Sequence, residues 1–205
     1  MKGLISLFSS IFLAGCAMVG IRHTEQPAFT LVLQQDNIEI RDYPPLLIAE
    51  TEIAGNYADS GRIGFQRLAN FIFGDNHQQQ SMAMTAPVFR ETTGEKISMT
   101  APVLQEPEAQ GWRMAFVMPA VFQTNTLPIP NDPAIRIRQL PSQKVAVLSY
   151  SGSLNQAQIE QHSKQLQTWL NQQGYQPVSE PRSAAYDPPW TLPALRHNEI
   201  HITIQ

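Results

Sequence analysis

The sequence is poor in cysteine: Cys16 is the one thiol in 205 residues. No disulfide can form within the chain, so stability has to come from packing. Charge is also sparse, with 15% Asp, Glu, Lys and Arg, a net charge of −3 and a pI near 5.9. That balance argues against nucleic acid or an anionic membrane surface as the main partner. Glycine is outnumbered by proline, eleven to sixteen, which suggests many strand ends and loops. Beyond the first twenty residues no apolar run reaches the roughly 18 residues of a transmembrane helix. The five histidines form no metal-site signature.

What is present begins at the N-terminus. Met1 and Lys2 precede an apolar run from Gly3 to Ala14, too short to span a bilayer and suited to the h-region of a cleaved signal peptide. It ends in Leu13-Ala14-Gly15-Cys16, which resembles the lipobox of bacterial lipoproteins. The resemblance implies removal of residues 1–15 and acylation of Cys16. The two or three acyl chains would anchor the protein stably at about 0.8 kcal/mol per buried methylene. By resemblance to enterobacterial lipoprotein sorting rules, Ala17 in place of aspartate implies the periplasmic face of the outer membrane. Residues 16–27 are then a tether, and residues 28–205 a single domain long enough to bury a substantial core.

From Phe29 the chain reads as strands. Phe29, Leu31 and Leu33 alternate with polar or smaller residues, then Ile38, Ile40 and Tyr43, and Leu46 to Ile53 follows after Pro44-Pro45. A helix is predicted from about Asp59 to Phe73, with Phe65, Leu68, Ala69 and Ile72 on one face, Arg62 and Gln66 beside it, and Gly74 as its C′ residue. A second helix is predicted from Ser153, with Gln156 as a capping-box partner and Gly174 closing it. Strands at Ile135–Ile137, 144–150, 184–186 and 199–204 complete an α+β pattern of two similar halves, each helix covering one face of a curved antiparallel sheet.

Met84-Thr85-Ala86-Pro87-Val88 recurs letter for letter as Met99-Thr100-Ala101-Pro102-Val103. With Thr92-Thr93-Gly94-Glu95 between them, the copies read as a β-hairpin whose strands end, bulge or lie at an edge at each proline. Thr85 and Thr100 are expected to bond locally to the backbone there. A strand over Trp112–Met118 follows. Met82, Met84, Met99, Met114 and Met118 either line a soft pocket or fill the core.

These features together resemble the SOUL haem-binding protein family. The repeated MTAPV, the helix ending Phe71-Ile72-Phe73-Gly74-Asp75-Asn76, the strand Ile38-Glu39-Ile40-Arg41-Asp42-Tyr43 and the closing Tyr186-Asp187-Pro188-Pro189 and Arg196-His197-Asn198-Glu199 occur in the family's order. The resemblance implies a distorted antiparallel β-barrel with two flanking helices and pseudo-two-fold halves, similar to effector-binding domains. It also implies non-covalent, non-catalytic binding of haem or another tetrapyrrole in a groove beside the first helix and the closing loop. Arg62 matches a basic residue proposed to meet a propionate, a match of guanidinium fork to carboxylate. A second basic position is Asn70 here. An axial histidine of one branch corresponds to Asp42, so that ligation is not carried over.

The candidate ligand-binding residues are Arg62, Phe65, Gln66, Ala69, Met82, Met84, Pro189, Trp190 and Leu192. Trp190 would either stack on a flat macrocycle or plug the barrel end. His77, just past the first helix, is the candidate for an axial ligand, with His197 and His201 near the last strand. Two other functions compete with binding. A small-molecule hydrolase of the effector-binding-like fold would need a carboxylate of raised pKa, from Glu50, Glu52 or Glu199. A structural or partner-binding lipoprotein would fill its groove with its own side chains.

Overall fold

The computed structural model describes residues 24–79 and 94–205. The expected signal segment, Cys16, and the first MTAPV copy with Met82 and Met84 lie outside the described residues. The chain runs β1 (Thr30–Gln35), β2 (Ile38–Tyr43), β3 (Leu46–Ala54), α1 (Tyr57–Ile72), β4 (Asn76–His77), β5 (Val103–Glu108) and β6 (Gly111–Val117). It continues through β7 (Ile129–Pro130), β8 (Ile135–Leu140), β9 (Gln143–Tyr150), α2 (Gln156–Gln173), β10 (Arg182–Ala185) and β11 (Asn198–Ile204).

Nine of the described strands form one antiparallel sheet in the order β1-β2-β9-β11-β10-β5-β6-β3-β8. It curls into a half-barrel with β1 and β8 as its edges. The duplication is visible in the order itself. β2-β3-α1-β5-β6 corresponds to β8-β9-α2-β10-β11, and each half lends its first strand to the other: β2 pairs with β9, and β8 with β3. The pseudo-two-fold axis passes between β5 and β10. α1 packs on β3 and β6, and α2 on β9 and β11.

The outer face carries two cores. One joins Leu68, Phe71 and Ile72 of α1 to Ala49, Met114 and Phe116. The other joins Ile159, Leu166 and Leu170 of α2 to Ile40, Leu148, Ile200 and Ile202. Each fully buried leucine or isoleucine contributes about 1.5–3 kcal/mol relative to exposure. Met114 and Met118 are buried in the core, Met118 also bordering a cleft, while Met99 is exposed.

Several local expectations need correction. Asn155, not Ser153, caps α2, its Oδ1 accepting from the Gln158 amide at 3.0 Å; Gly174 does close the helix in the left-handed region at φ 79°. The second MTAPV copy is not a hairpin strand. Residues 94–99 run irregularly against the end of α1, with Ile97 N donating to Ile72 O at 2.8 Å, and Pro102 directly precedes β5, where its missing N–H costs no ladder bond. A Cβ on Gly94 would collide with the Gly74 backbone, so this crossing requires glycine. Thr100 Oγ1 donates to Val117 O of β6, a long-range contact instead of a local one. The hairpin here is β5–β6, joined by Ala109-Gln110. β1 alternates as predicted, but Phe29, Leu31, Val32 and Leu33 are all exposed, because β1 is an edge strand with a register shift between Leu31 and Leu33.

Candidate functional site

α1 is set by its ends and by one glycine. Asn56 caps it, with Oδ1 accepting from the Asp59 amide at 2.9 Å. Gly64 lies against Ile53 and Met114; a Cβ there would come within 2.8 Å of Ile53 Cδ1, so glycine lets the helix settle onto β3 and β6. The outward side is unusual for a surface helix. Arg62, Phe65, Ala69 and Phe73 stand at i, i+3, i+7 and i+11, a stripe of about 16 Å. Phe65 is 39% exposed and Phe73 62%. The inner edge of the Phe65 ring meets Phe116 of β6, centroids 5.4 Å apart, so Phe65 borders the core and does not belong to it as predicted. Ala69 is buried, and Gln66 is exposed beside Arg62. Arg62 is exposed and has no ion-pair or hydrogen-bond partner among the described residues. Arg67, by contrast, is committed to Asp132 at 3.0 Å and Thr51 at 2.8 Å.

The register continues this site across the sheet. Phe116 pairs with Val103, and Val103 with Ala185, in one row of β6, β5 and β10. These central strands lie between the two helices, and the loop from Tyr186 to His197 leaves the sheet in that row. Arg196 braces the loop: Nε donates to Thr191 O at 2.8 Å and Nη2 to Pro189 O. The His197 amide donates to Asp187 Oδ2 at 2.6 Å. The braced loop holds Pro189, Trp190 and Leu192 out to solvent, Trp190 at 82% exposure. Trp190 therefore does not plug the barrel end.

The histidines divide by partner. His77 Nδ1 lies 2.8 Å from Asn131 Oδ1, and Asn131 Nδ2 donates to Asp75. The amide oxygen can only accept, so Nδ1–H is the donor and Nε2 has no hydrogen-bond partner among the described residues. His197 and His201 both turn Nε2 to Glu199, at 2.8 and 2.7 Å, and are committed there. Among the described residues no cluster of three or more His, Cys, Asp or Glu side chains could hold a metal ion.

Glu199 is the centre of a buried charge network on the concave face. At 1% exposure it accepts from Arg41 at 2.9 and 3.1 Å, Tyr186 at 2.6 Å, Ser149 at 3.3 Å and both histidines. Burial by itself pushes its carboxyl up, but hydrogen bonds from His197, His201 and Arg41 outweigh this and hold it well below the usual carboxylate range. A carboxylate so held is a poor proton acceptor, which works against Glu199 as a hydrolase base. Glu50 is buried but bound by Arg138 at 2.7 Å, and Glu52 is exposed.

A pH dependence follows. Burial lowers the His201 pKa below its ordinary 6.5, outweighing the neighbouring Glu199. Both groups have depressed folded-state values. Their stabilising contributions are therefore complete above 6.5 for His201 and above 4.5 for Glu199, and are lost as pH falls through those windows. The urea midpoint is expected to decline from pH 7.5 to 6 and again, more steeply, below pH 4.5; a constant midpoint between pH 7.5 and 4 would contradict this.

A cleft of about 770 Å³ lies elsewhere. Its walls include Glu25, Pro44, Pro45, Leu47, Met118 and Phe122, with no lysine or arginine. It is of ligand size but offers no cationic side chain to an anionic group. The α1 stripe offers Arg62, so charge separates the two surfaces. A description of the SOUL heme-binding protein family matches residues 24–203. The chain is 24% identical to heme-binding protein 1 of Xenopus laevis over 163 residues, 79% of this chain and 80% of that one. Its fold is similar to the C-terminal domain of EcmrR (TM-score 0.56, 13% identity, 82% of this chain and 96% of that one). It is also similar to a hydrolase from Listeria innocua (TM-score 0.52, 8% identity, 85% and 94%). At these identities the two structures bear on the fold alone. No helix among the described residues is long and apolar enough to cross a membrane.

Proposed function

Since this chain belongs to the SOUL haem-binding protein family, we propose that it is an envelope lipoprotein holding haem or another tetrapyrrole, without a covalent link, against α1. The observation that carries this reading is the exposed row of Arg62, Phe65 and Phe73 along α1, together with Trp190 and Leu192 exposed on the braced closing loop. Two exposed phenylalanines supply apolar area for a flat macrocycle, and the unpaired Arg62 guanidinium supplies a fork for a propionate. Pro189, Trp190 and Leu192 close over the outer face, and Gln66 stands beside Arg62 for a further polar contact. His77, with its free Nε2, is the residue able to reach iron from the C-terminal end of the stripe; binding does not depend on it. Haem so held supplies a redox-active iron, and the chain's own residues supply orientation and exclusion of water.

Enzymatic hydrolysis has less support. Glu199 stays ionised under five donor side chains, and the concave face around Glu50 leaves a cavity of about 20 Å³, too small for an organic substrate. Haemin titration followed at the Soret band tests the proposal. A saturable red shift at low micromolar protein is expected, and a shift no larger than that with serum-free buffer would defeat it.

Membrane anchoring at Cys16 belongs to the same proposal, supported by Leu13-Ala14-Gly15-Cys16. Cys16→Ser is expected to lose acylation and move to the soluble fraction with unchanged circular dichroism. Continued fractionation with membranes would rule the anchor out.

A further inference from the structure

The concave face contains two guanidinium donors with nothing to bind. Arg182 on β10 is 9% exposed, and its Nε has no hydrogen-bond partner among the described residues; Nη2 reaches only Gln143 Oε1, at 3.5 Å. Arg113 Nε on β6 is likewise buried without a hydrogen bond, with Glu50 Oε2 at 3.8 Å. Both side chains line the same cavity of about 20 Å³, room for one water-sized or halide-sized particle. Arg138, Glu50 and Glu106 complete its polar wall, and Leu104 and Leu140 are among its apolar residues.

Charge distinguishes the two occupants. Arg113 and Arg138 each have carboxylates at ion-pair distance, whereas Arg182 has none among the described residues. Glu50 accepts from Arg138 at 2.7 and 3.1 Å, and Glu106 from Arg113 at 2.9 Å. Glu52 and Glu108 also meet Arg113. Arg182 is the cation left over. A guanidinium buried without a contacting carboxylate is costly, and water would satisfy its donor without adding counter-charge.

We propose that this cavity is a binding site for a monatomic halide, chloride in the cell, held between Arg113 Nε and Arg182 Nε. The site is separate from the α1 stripe and does not rest on haem binding. Thermal unfolding of the purified chain in sodium chloride, bromide or gluconate at equal ionic strength tests it. The midpoint is expected to rise saturably by about 2–4 °C with chloride and bromide, and not with gluconate, which is too large to enter. Arg182→Met, and independently Ala115→Val, which keeps every charge but narrows the cavity, are each expected to abolish the halide response. Crystals grown in bromide are expected to show an anomalous peak between Arg113 and Arg182. Equal responses to gluconate and chloride, a halide response that survives Ala115→Val, or ordered water without anomalous signal in that position would each overturn the proposal.

Discussion

Glu199→Ala is expected to destabilise the fold by about 3–5 kcal/mol, the typical result of removing one partner from a buried ion pair. Domains have net stabilities of about 5–15 kcal/mol, so the variant would be close to unfolding at ambient temperature. Losing the Coulomb attraction is only part of the effect. Arg41 is 7% exposed in its side chain and would be left charged in a buried place. Glu39, at 2.6 Å from Arg41 Nε, would remain as its partner, but at one nitrogen only. Tyr186, His197 and His201 would lose their acceptor as well. Replacing Arg41 and Glu199 together by methionine is therefore expected to recover part of the loss and not all of it. Glu50→Ala provides the contrast. Its partner Arg138 is 46% exposed and can turn to water, and Arg113 retains Glu106 and Glu108, so a cost of about 1 kcal/mol is expected. Urea unfolding of the four proteins measures these differences. Equal costs for Glu199→Ala and Glu50→Ala would mean that burial does not govern the network.

Phe65→Asp is expected to weaken haem affinity about thirtyfold or more. Removing the exposed ring forfeits about 2 kcal/mol of apolar contact, and the new carboxylate stands one turn from Arg62, where it competes with a propionate. The fold should survive, because Phe65 borders the core and its neighbours Leu68, Phe71 and Ile72 carry the helix packing. Gln123→Glu adds the same charge to the large cleft near Pro44 and Pro45, and is expected to leave haem affinity unchanged. The reverse pattern, with Gln123→Glu damaging and Phe65→Asp harmless, would move the ligand to that cleft.

Much of the fold was legible because periodicity is local. Leu68, Ala69 and Ile72 on α1, and Ile159, Leu166 and Leu170 on α2, are buried as their spacing required. Gly74 and Gly174 have the positive φ expected at helix ends. Phe73 was also readable as a site residue, since it continues the Arg62–Phe65–Ala69 stripe by one more turn. Errors arose where several readings satisfied the same local pattern. Ser153 and Asn155 both resemble caps, and only the course of the chain after β9 selects Asn155. The MTAPV repeat looks like paired strands, yet the copy at 99–103 merely leads into β5, because residues 94–97 are held by α1 and Asn76.

What the sequence determined by itself was the lone thiol at Cys16, the class of fold, its duplicated halves and the apolar face of α1, all of which depend on composition or on neighbours within a few residues. Tertiary structure alone decided how the halves exchange first strands, and which charges meet. Arg41 and Glu199 are 158 residues apart, and Arg113 and Arg182 line one cavity because β6 and β10 pair with opposite edges of β5. Electrostatic partnership depends on distance and dielectric, and both are set when the strands assemble into the curled sheet.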